Sequence, residues 1–474
     1  MSVSLKTSAR ADNAIQQLAH SFAFRVVLFC MAHIPLAYVL RLSGRLGMFH
    51  ALLVLVFGIR AAFRQDIGQV VCTLGYLAGA EILWRMTGAD IFWEFSKYAA
   101  VLIAFLAIMI ERRDIPVYFP KLVQSHETLP IPRYLNLTPL FYFALLLPAT
   151  ILTWWEMDFN GARQQISFNL SGPLALAIMA LYLWKRPLNK QQITSLLVAI
   201  IAPITGVLFH AIYSTFTAEV IFTLESNFTT SGGYGPNQVS NILGFGALVA
   251  IFLLIVKWRS PGLRLFLLLL AATFVLQAFL TFSRGGVISL FIAVLLLGLH
   301  LFRTPQARSR FLFLAVFAYG TGVFIIAPIL DSFTDTLWQQ RFTDLSTTGR
   351  TEVALADWQA FLEHPLVGAG VGLSITYHQL LVGLNVTAHT EITRMLAEHG
   401  LLGILSLGIL LAMIGYSYVK AKAGIPRAFT SAFIAWALFV MLQSAMRFLA
   451  IPLSLTLAMI VWQVSLDDVP WQEA

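Results

Sequence analysis

From residue 22 almost to the end of the chain, apolar stretches of about 20 residues alternate with short polar ones. A helix of that length covers the roughly 30 Å hydrocarbon core of a bilayer, so each stretch reads as a membrane span. The spans fall near 22–40, 46–63, 67–87, 95–110, 138–153, 169–184, 193–215, 237–256, 264–282, 284–302, 310–330, 399–418, 428–446 and 449–465. The pattern predicts an all-α polytopic transmembrane helical bundle of about 14 spans, with 12–14 as the range. The predicted order is an N-terminal segment at 1–21, helices 1–11 over 22–330, one long loop at 331–398, helices 12–14 over 399–465 and a tail at 466–474. The first twenty residues are polar and lack the short apolar stretch and small-residue site of a cleaved signal peptide.

The long loop carries eight acidic residues against three arginines, and a structured loop of this length usually does the work of a protein. Within it, 351–362 reads as an amphipathic helix whose Val353, Leu355, Ala356, Trp358 and Phe361 offer an apolar side to a membrane surface. A segment containing Gly368, Gly370 and Gly372 follows.

Composition agrees with the membrane reading. Hydrophobic residues make up 58% of the chain and charged residues 11%, against about 25% charged in soluble proteins. The net charge of +8 does not point to nucleic acid, because the basic residues form no patch in a soluble domain. Most of them fall in alternate loops: Arg60 and Arg64; Arg112, Arg113, Lys121 and Arg133; Lys185, Arg186 and Lys190; Lys257, Arg259 and Arg264; Arg303, Arg308 and Arg310; Lys420, Lys422 and Arg427. Short loops rich in Lys and Arg stay in the cytoplasm, and Lys6 and Arg10 put the N-terminus on the same side. Both termini are therefore expected in the cytoplasm, with the long loop outside. Cys30 and Cys72 lie in apolar runs, which excludes a structural disulfide or a zinc site.

The chemistry then narrows to a few cations on the outer side. Arg284 lies in Phe282-Ser283-Arg284-Gly285-Gly286 between two apolar spans, and a cation at the membrane boundary is a functional candidate by default. The plainer reading is a turn cap that touches lipid headgroups. Two glycines before a helix favour an anion instead. Arg350 opens the amphipathic helix, where Glu352 or Asp357 could hold it; together with Arg284 it offers two guanidinium groups that clamp a pyrophosphate without metal. His389, in Ala388-His389-Thr390-Glu391 at the end of the loop, has the pKa range of a base for an attacking hydroxyl. Arg394 reads as architecture, three residues after Glu391 and four before Glu398, and so do Glu81 and Arg85. Glu156 and Asp158 form a spacing that could hold a divalent cation, without a third acid to reinforce it. Gly232-Gly233-Tyr234-Gly235-Pro236-Asn237-Gln238 opens a span with amides suited to a polar ligand, although Pro is also an ordinary helix start.

In order, Gly235-Pro236-Asn237-Gln238, Ser283-Arg284-Gly285-Gly286, Gly349-Arg350, Trp358, His364-Pro365-Leu366-Val367-Gly368-Ala369-Gly370, His389 and Glu398-His399-Gly400-Leu401-Leu402-Gly403 resemble the O-antigen ligase and polymerase superfamily of bacterial inner-membrane proteins. The resemblance covers about residues 230–410. It implies a fold related to the GT-C glycosyltransferases and an inverting, metal-independent transfer of glycan from an undecaprenyl-pyrophosphate carrier at the periplasmic face, with no cofactor. It implies that Arg284 and Arg350 hold the donor pyrophosphate and that His389 activates the acceptor hydroxyl, with Asn237, Gln238, Ser283, Gly285 and Trp358 as glycan or loop support. Thr390 departs from the asparagine that many relatives have there. The acceptor is lipid A core for a ligase, another lipid-linked glycan for a polymerase, and protein for some relatives. Intervals of 66 residues (284 to 350) and 39 residues (350 to 389) favour the ligase. A lipid-linked oligosaccharide transporter is the competing class, disfavoured by the scarcity of mid-span charges.

Overall fold

The structure, a computed structural model, describes residues 21–113, 136–257, 260–303, 305–344, 349–383 and 385–463. The predicted N-terminal segment except Ser21, the tail 466–474, and Lys6, Arg10, Lys121, Arg133 and Arg259 lie outside the described residues.

In chain order the helices are α1 Phe22–Leu42, α2 Gly44–Phe63, α3 Ile67–Met86, α4 Phe95–Arg113, α5 Thr138–Ala144, α6 Pro148–Glu156, α7 Phe159–Leu183, α8 Lys190–Thr217, α9 Pro236–Val256, α10 Pro261–Leu280, α11 Arg284–Leu301, α12 Pro305–Thr321, α13 Ala327–Thr334, α14 Leu337–Thr343, α15 Arg350–Glu363, α16 Ser374–Val382, α17 Glu391–Lys420, α18 Ile425–Met441 and α19 Ala450–Leu457. A π-helical turn, Gly322–Ile326, joins α12 to α13. Strands β1, Pro187–Asn189, and β2, Val461–Gln463, pair in parallel. The starts follow sequence signals: Pro opens α9 and α10, and Asp158 and Thr390 cap α7 and α17.

Eleven apolar segments among the described residues are long enough to cross a membrane, and the shorter apolar α18 adds to them. The chain is a multi-pass, all-α membrane protein. The span expected at 138–153 forms over Thr138–Glu156, interrupted between α5 and α6 where Pro148 lacks the N–H that would continue the helical hydrogen bonds. One region departs from the hydropathy reading. The span expected at 449–465 is replaced by the eight-residue α19 and β2. At 1.5 Å per residue α19 covers about 12 Å, too little for a bilayer. The residues from Phe448 to Ile460 are buried in protein. The apolar run there marks protein core, where irregular backbone is tolerated because lipid does not reach it.

The chain divides into two compact units. The first comprises 1–49, 79–90 and 194–344. Its α9 is apolar on every side and buried along nearly its whole length, as expected of a central helix. It packs against α10 and α11. A Cβ on Gly286 of α11 would collide with the Ser240 carbonyl of α9, so this close crossing requires glycine. The segment around α12 is the opposite case: Val316, Tyr319 and Phe324 are more than 70% exposed, the surface of a helix that faces lipid.

The second unit comprises 50–78, 91–193 and 345–474. Here α7 packs on α4 and α19, while α15 packs on α16 and α17. Arg186 bridges Glu111 through two hydrogen bonds of 2.9 and 2.8 Å. In α17, Gly400 adopts φ 59°, ψ −140°, which kinks the helix. The segment after α15 lies in the kink: Leu401 N donates to Pro365 O (2.8 Å), Ala369 N to Ala397 O (2.8 Å) and Gly370 N to Glu398 O (3.2 Å). Gly368, at φ 79°, approaches the Glu398–His399 peptide so closely that any side chain would overlap it.

Candidate active site

Each unit places one part of the predicted set. In the first, Phe282 has φ 54° and Ser283 precedes α11, so Arg284 stands at the helix start as expected. The turn is held from several directions. Ser283 Oγ donates to Asn237 Oδ1 (2.7 Å), Ser240 Oγ to the Ser283 carbonyl (2.9 Å) and Arg341 Nε to the Phe282 carbonyl (3.0 Å). Arg284 donates to the Asp344 carbonyl. Beside it, Gln238 Oε1 accepts from Tyr234 (2.8 Å) and Arg85 (3.1 Å), and Arg85 pairs with Glu81 at 2.6 Å. Asn237 and Ser283 are thus in direct contact. Gly285 is buried, and Gly286 serves the crossing with α9.

The second unit places Arg350, Trp358 and His389. The helix expected at 351–362 forms as α15, with a different division of faces. Val353, Ala356, Asp357 and Ala360, at helical spacing, are buried, while Leu355, Trp358 and Leu362 form the exposed side. Asp357 does not hold Arg350. Its Oδ1 lies 2.7 Å from His378 Nε2, and His378 Nδ1 lies 2.6 Å from the Val386 carbonyl. Both partners are fully buried. Both ring nitrogens therefore lie against oxygen atoms, a setting that favours a proton on each of them. Burial lowers its pKa, but the hydrogen bond to Asp357, the Val386 carbonyl and the Asp357 charge together raise it above the ordinary histidine value.

His389 stands in the same neighbourhood with the opposite sign. Burial, followed by the positive charges of Arg350, Arg447 and His378, pushes its pKa down to about 4, with Asp357 opposing. At neutral pH its ring carries no charge and has a lone pair ready for a proton. Arg447 fixes the backbone beside it, donating to the Ala388 carbonyl at 2.6 Å. Lys97 in turn donates to the Arg447 carbonyl at 3.3 Å. Burial lowers the pKa of Arg447 to about 10, so it stays charged.

Arg394 is the architectural arginine that its spacing predicts: it pairs with Glu391 at 2.6 Å and Glu398 at 2.9 Å, all three side chains buried. Glu391 also accepts from Met446 N at 3.0 Å. Asp158 accepts from the Asn160 and Gly161 amides as a helix cap, which accounts for it without a metal.

Sequence reasoning missed Asp357 with His378, and Arg447. The signal for Arg447 was present: it interrupts apolar residues 428–446 and 449–465, the same logic that singled out Arg284. The His378–Asp357 pair had no sequence signal, since the two residues lie 21 positions apart on separate helices.

The family model described as O-antigen ligase matches residues 269–408 of this chain. The stretch includes Ser283, Arg284, Gly285, Arg350, Asp357, Trp358, His378 and His389; Asn237, Gln238 and Arg447 fall outside it. No curated protein matches the chain.

Proposed function

We propose that this chain, which the O-antigen ligase family model matches over residues 269–408, belongs to that superfamily and transfers a glycan from an undecaprenyl-pyrophosphate carrier to an acceptor hydroxyl at the periplasmic face of a bacterial inner membrane. The favoured acceptor is lipid A core, as in lipopolysaccharide synthesis. The observation that carries the reading is the family match, within which His389 lies where burial, Arg350 and Arg447 lower its pKa, near the His378–Asp357 hydrogen bond.

In the proposed step the acceptor oxygen attacks the anomeric carbon of the donor sugar, the bond from that carbon to the pyrophosphate oxygen breaks, and configuration inverts. His389 takes the acceptor proton. Arg350, with Arg284 on the sequence argument, neutralises the departing pyrophosphate, the task that a metal performs in other transferases. The donor also tunes the base. A pyrophosphate placed beside the cations that suppress His389 raises its affinity for a proton, so the base strengthens once the donor is bound.

The test replaces Arg284, Arg350 and His389 singly with Ala and displays surface polysaccharide on a gel. Unligated long polymer left on its carrier identifies a ligase, and a single repeat on lipid A core identifies a polymerase. Wild-type patterns from all three variants sink the proposal. Transfer by purified protein in EDTA is expected; a strict need for added Mg²⁺ or Mn²⁺ overturns the arginine-based scheme.

A further inference from the structure

The second unit holds a cavity of about 540 Å³, within the size range of ligand sites, whose walls include Trp93, Glu94, Arg163, Gln164, Phe168 and Thr387. Trp93 is 46% exposed, unusual for an indole unless it faces lipid or a ligand, and here it shares a wall with an acid, a guanidinium and an amide. Such a lining suits a pyranose: a flat aromatic face for the C–H side of the ring, with donors and acceptors for its hydroxyls. One Arg and one Glu leave the lining without strong net charge, which fits a hydroxyl-rich ring better than a pyrophosphate.

The cavity reaches the chain segment that carries the proposed base. Thr387 lies two residues before His389 in the same non-helical segment. The Arg447 guanidinium stands 5.3 Å from the centre of the Phe168 ring while holding the Ala388 carbonyl, so one side chain joins the cavity wall to the backbone that carries His389. Gln165, another wall residue, accepts from Asn169 Nδ2 at 3.3 Å and lies against Gly372, which ties the wall to the segment between α15 and α16.

We infer that this cavity is the acceptor subsite, which seats the sugar ring that receives the transferred glycan on Trp93 and hydrogen-bonds its hydroxyls through Arg163, Glu94 and Gln164. The inference rests on the glycan-transfer reading of His389 and adds what that reading lacks, a place for the second substrate.

The experiment uses the full chain in lipid nanodiscs, an undecaprenyl-pyrophosphate-linked glycan as donor and lipid A core as acceptor. Trp93→Ala and Gln164→Ala are each expected to raise the acceptor KM at least about tenfold, the loss of roughly 1.4 kcal/mol of binding, with kcat and the donor KM near wild type. Trp93→Phe, which keeps a flat ring, is expected to restore most of the affinity. A binding arm needs no turnover: saturation-transfer NMR with delipidated core oligosaccharide is expected to give signal with wild type and to lose it with Trp93→Ala. Unchanged acceptor KM in both variants, or a rise in donor KM instead, overturns the subsite while leaving His389 in place. Absence of any transfer by folded wild-type protein brings down the functional reading together with the subsite.

Discussion

His378 and His389 lie eleven residues apart and feel the same carboxylate, Asp357, yet their pKa values shift in opposite directions. Burial disfavours charge on both rings, yet the pKa of His378 is raised above the ordinary value while that of His389 is held down to about 4. The difference lies in what each ring faces. The Asp357 carboxylate, the Val386 carbonyl and the Glu398 charge together outweigh the burial of His378, whereas the cations around His389 act in the same direction as burial. One histidine therefore holds its proton more tightly and ties α16 to α15, and the other, the proposed base, holds it more weakly. Arg394 and Arg447 repeat the lesson. Arg394 is enclosed by two carboxylates, while Arg447 donates to a carbonyl that carries no net charge, so its field still reaches His389.

Separate substitution of the two histidines tests the contrast most severely. His389→Ala is expected to reduce transfer about 100- to 10,000-fold, the usual contribution of a general base, with an unchanged unfolding temperature in detergent. His378→Ala is expected to do the reverse in kind, lowering the unfolding temperature and reducing activity only as far as the loop loosens. Loss of transfer from both variants with unaltered stability would show that the two rings share one role.

Asp357→Ala leaves the buried His378 ring without its hydrogen-bond partner, a change expected to cost about 1–3 kcal/mol. The pH dependence has a definite sign. Because the folded pKa of His378 lies above its unfolded value of about 6.5, the stability that it contributes is complete below about pH 6.5 and is lost as pH rises through the raised folded value. The gap in unfolding temperature between wild type and Asp357→Ala should thus narrow on the alkaline side. A gap that widens there would assign the proton to the wrong member of the pair.

The candidates that could be read from the sequence are those whose partners are close along the chain or absent. Arg394 with Glu391 and Glu398, and Glu81 with Arg85, follow from helical spacing alone. Arg284 was visible as a cation between apolar spans, and His389 by its place at the end of the long loop. What escaped was long-range. The partners Asp357 and His378 are chosen by the packing of α15 on α16, and the role of Arg447 depends on a contact with residue 388. The last predicted span failed for a related reason, since apolarity records removal from water without saying whether lipid or protein receives the chain.

The frame that holds the fixed side of the contrast passes through Gly400. Its φ of 59° with ψ −140° is a conformation that residues with a Cβ adopt only under strain, and a Cβ would meet the Pro365 carbonyl and the Gly368 amide. Gly400→Ala is expected to cost about 1–3 kcal/mol, read as a lower unfolding temperature, and to disturb the His378 side before the His389 side. Full stability in this variant would mean that the 365–370 segment does not depend on the kink.

The smallest expected effect bears most directly on the base. The charge of Arg350 disfavours a proton on His389, so Arg350→Gln should raise the His389 pKa from about 4 part of the way towards the ordinary value of 6.5. The pH profile of kcat/KM for the donor reports the free enzyme, and its acid limb should move up in the variant, with Arg447→Gln shifting it in the same direction. In wild type the acid limb of kcat, which reports the donor-bound state, should already lie above that of kcat/KM, because the bound pyrophosphate offsets the same cations. Arg350→Gln should therefore narrow the separation between the two limbs as well as shifting one of them. If the limbs coincide in wild type and neither moves in the variants, burial alone sets the proton affinity of His389, and the cations around it have no part in tuning the base.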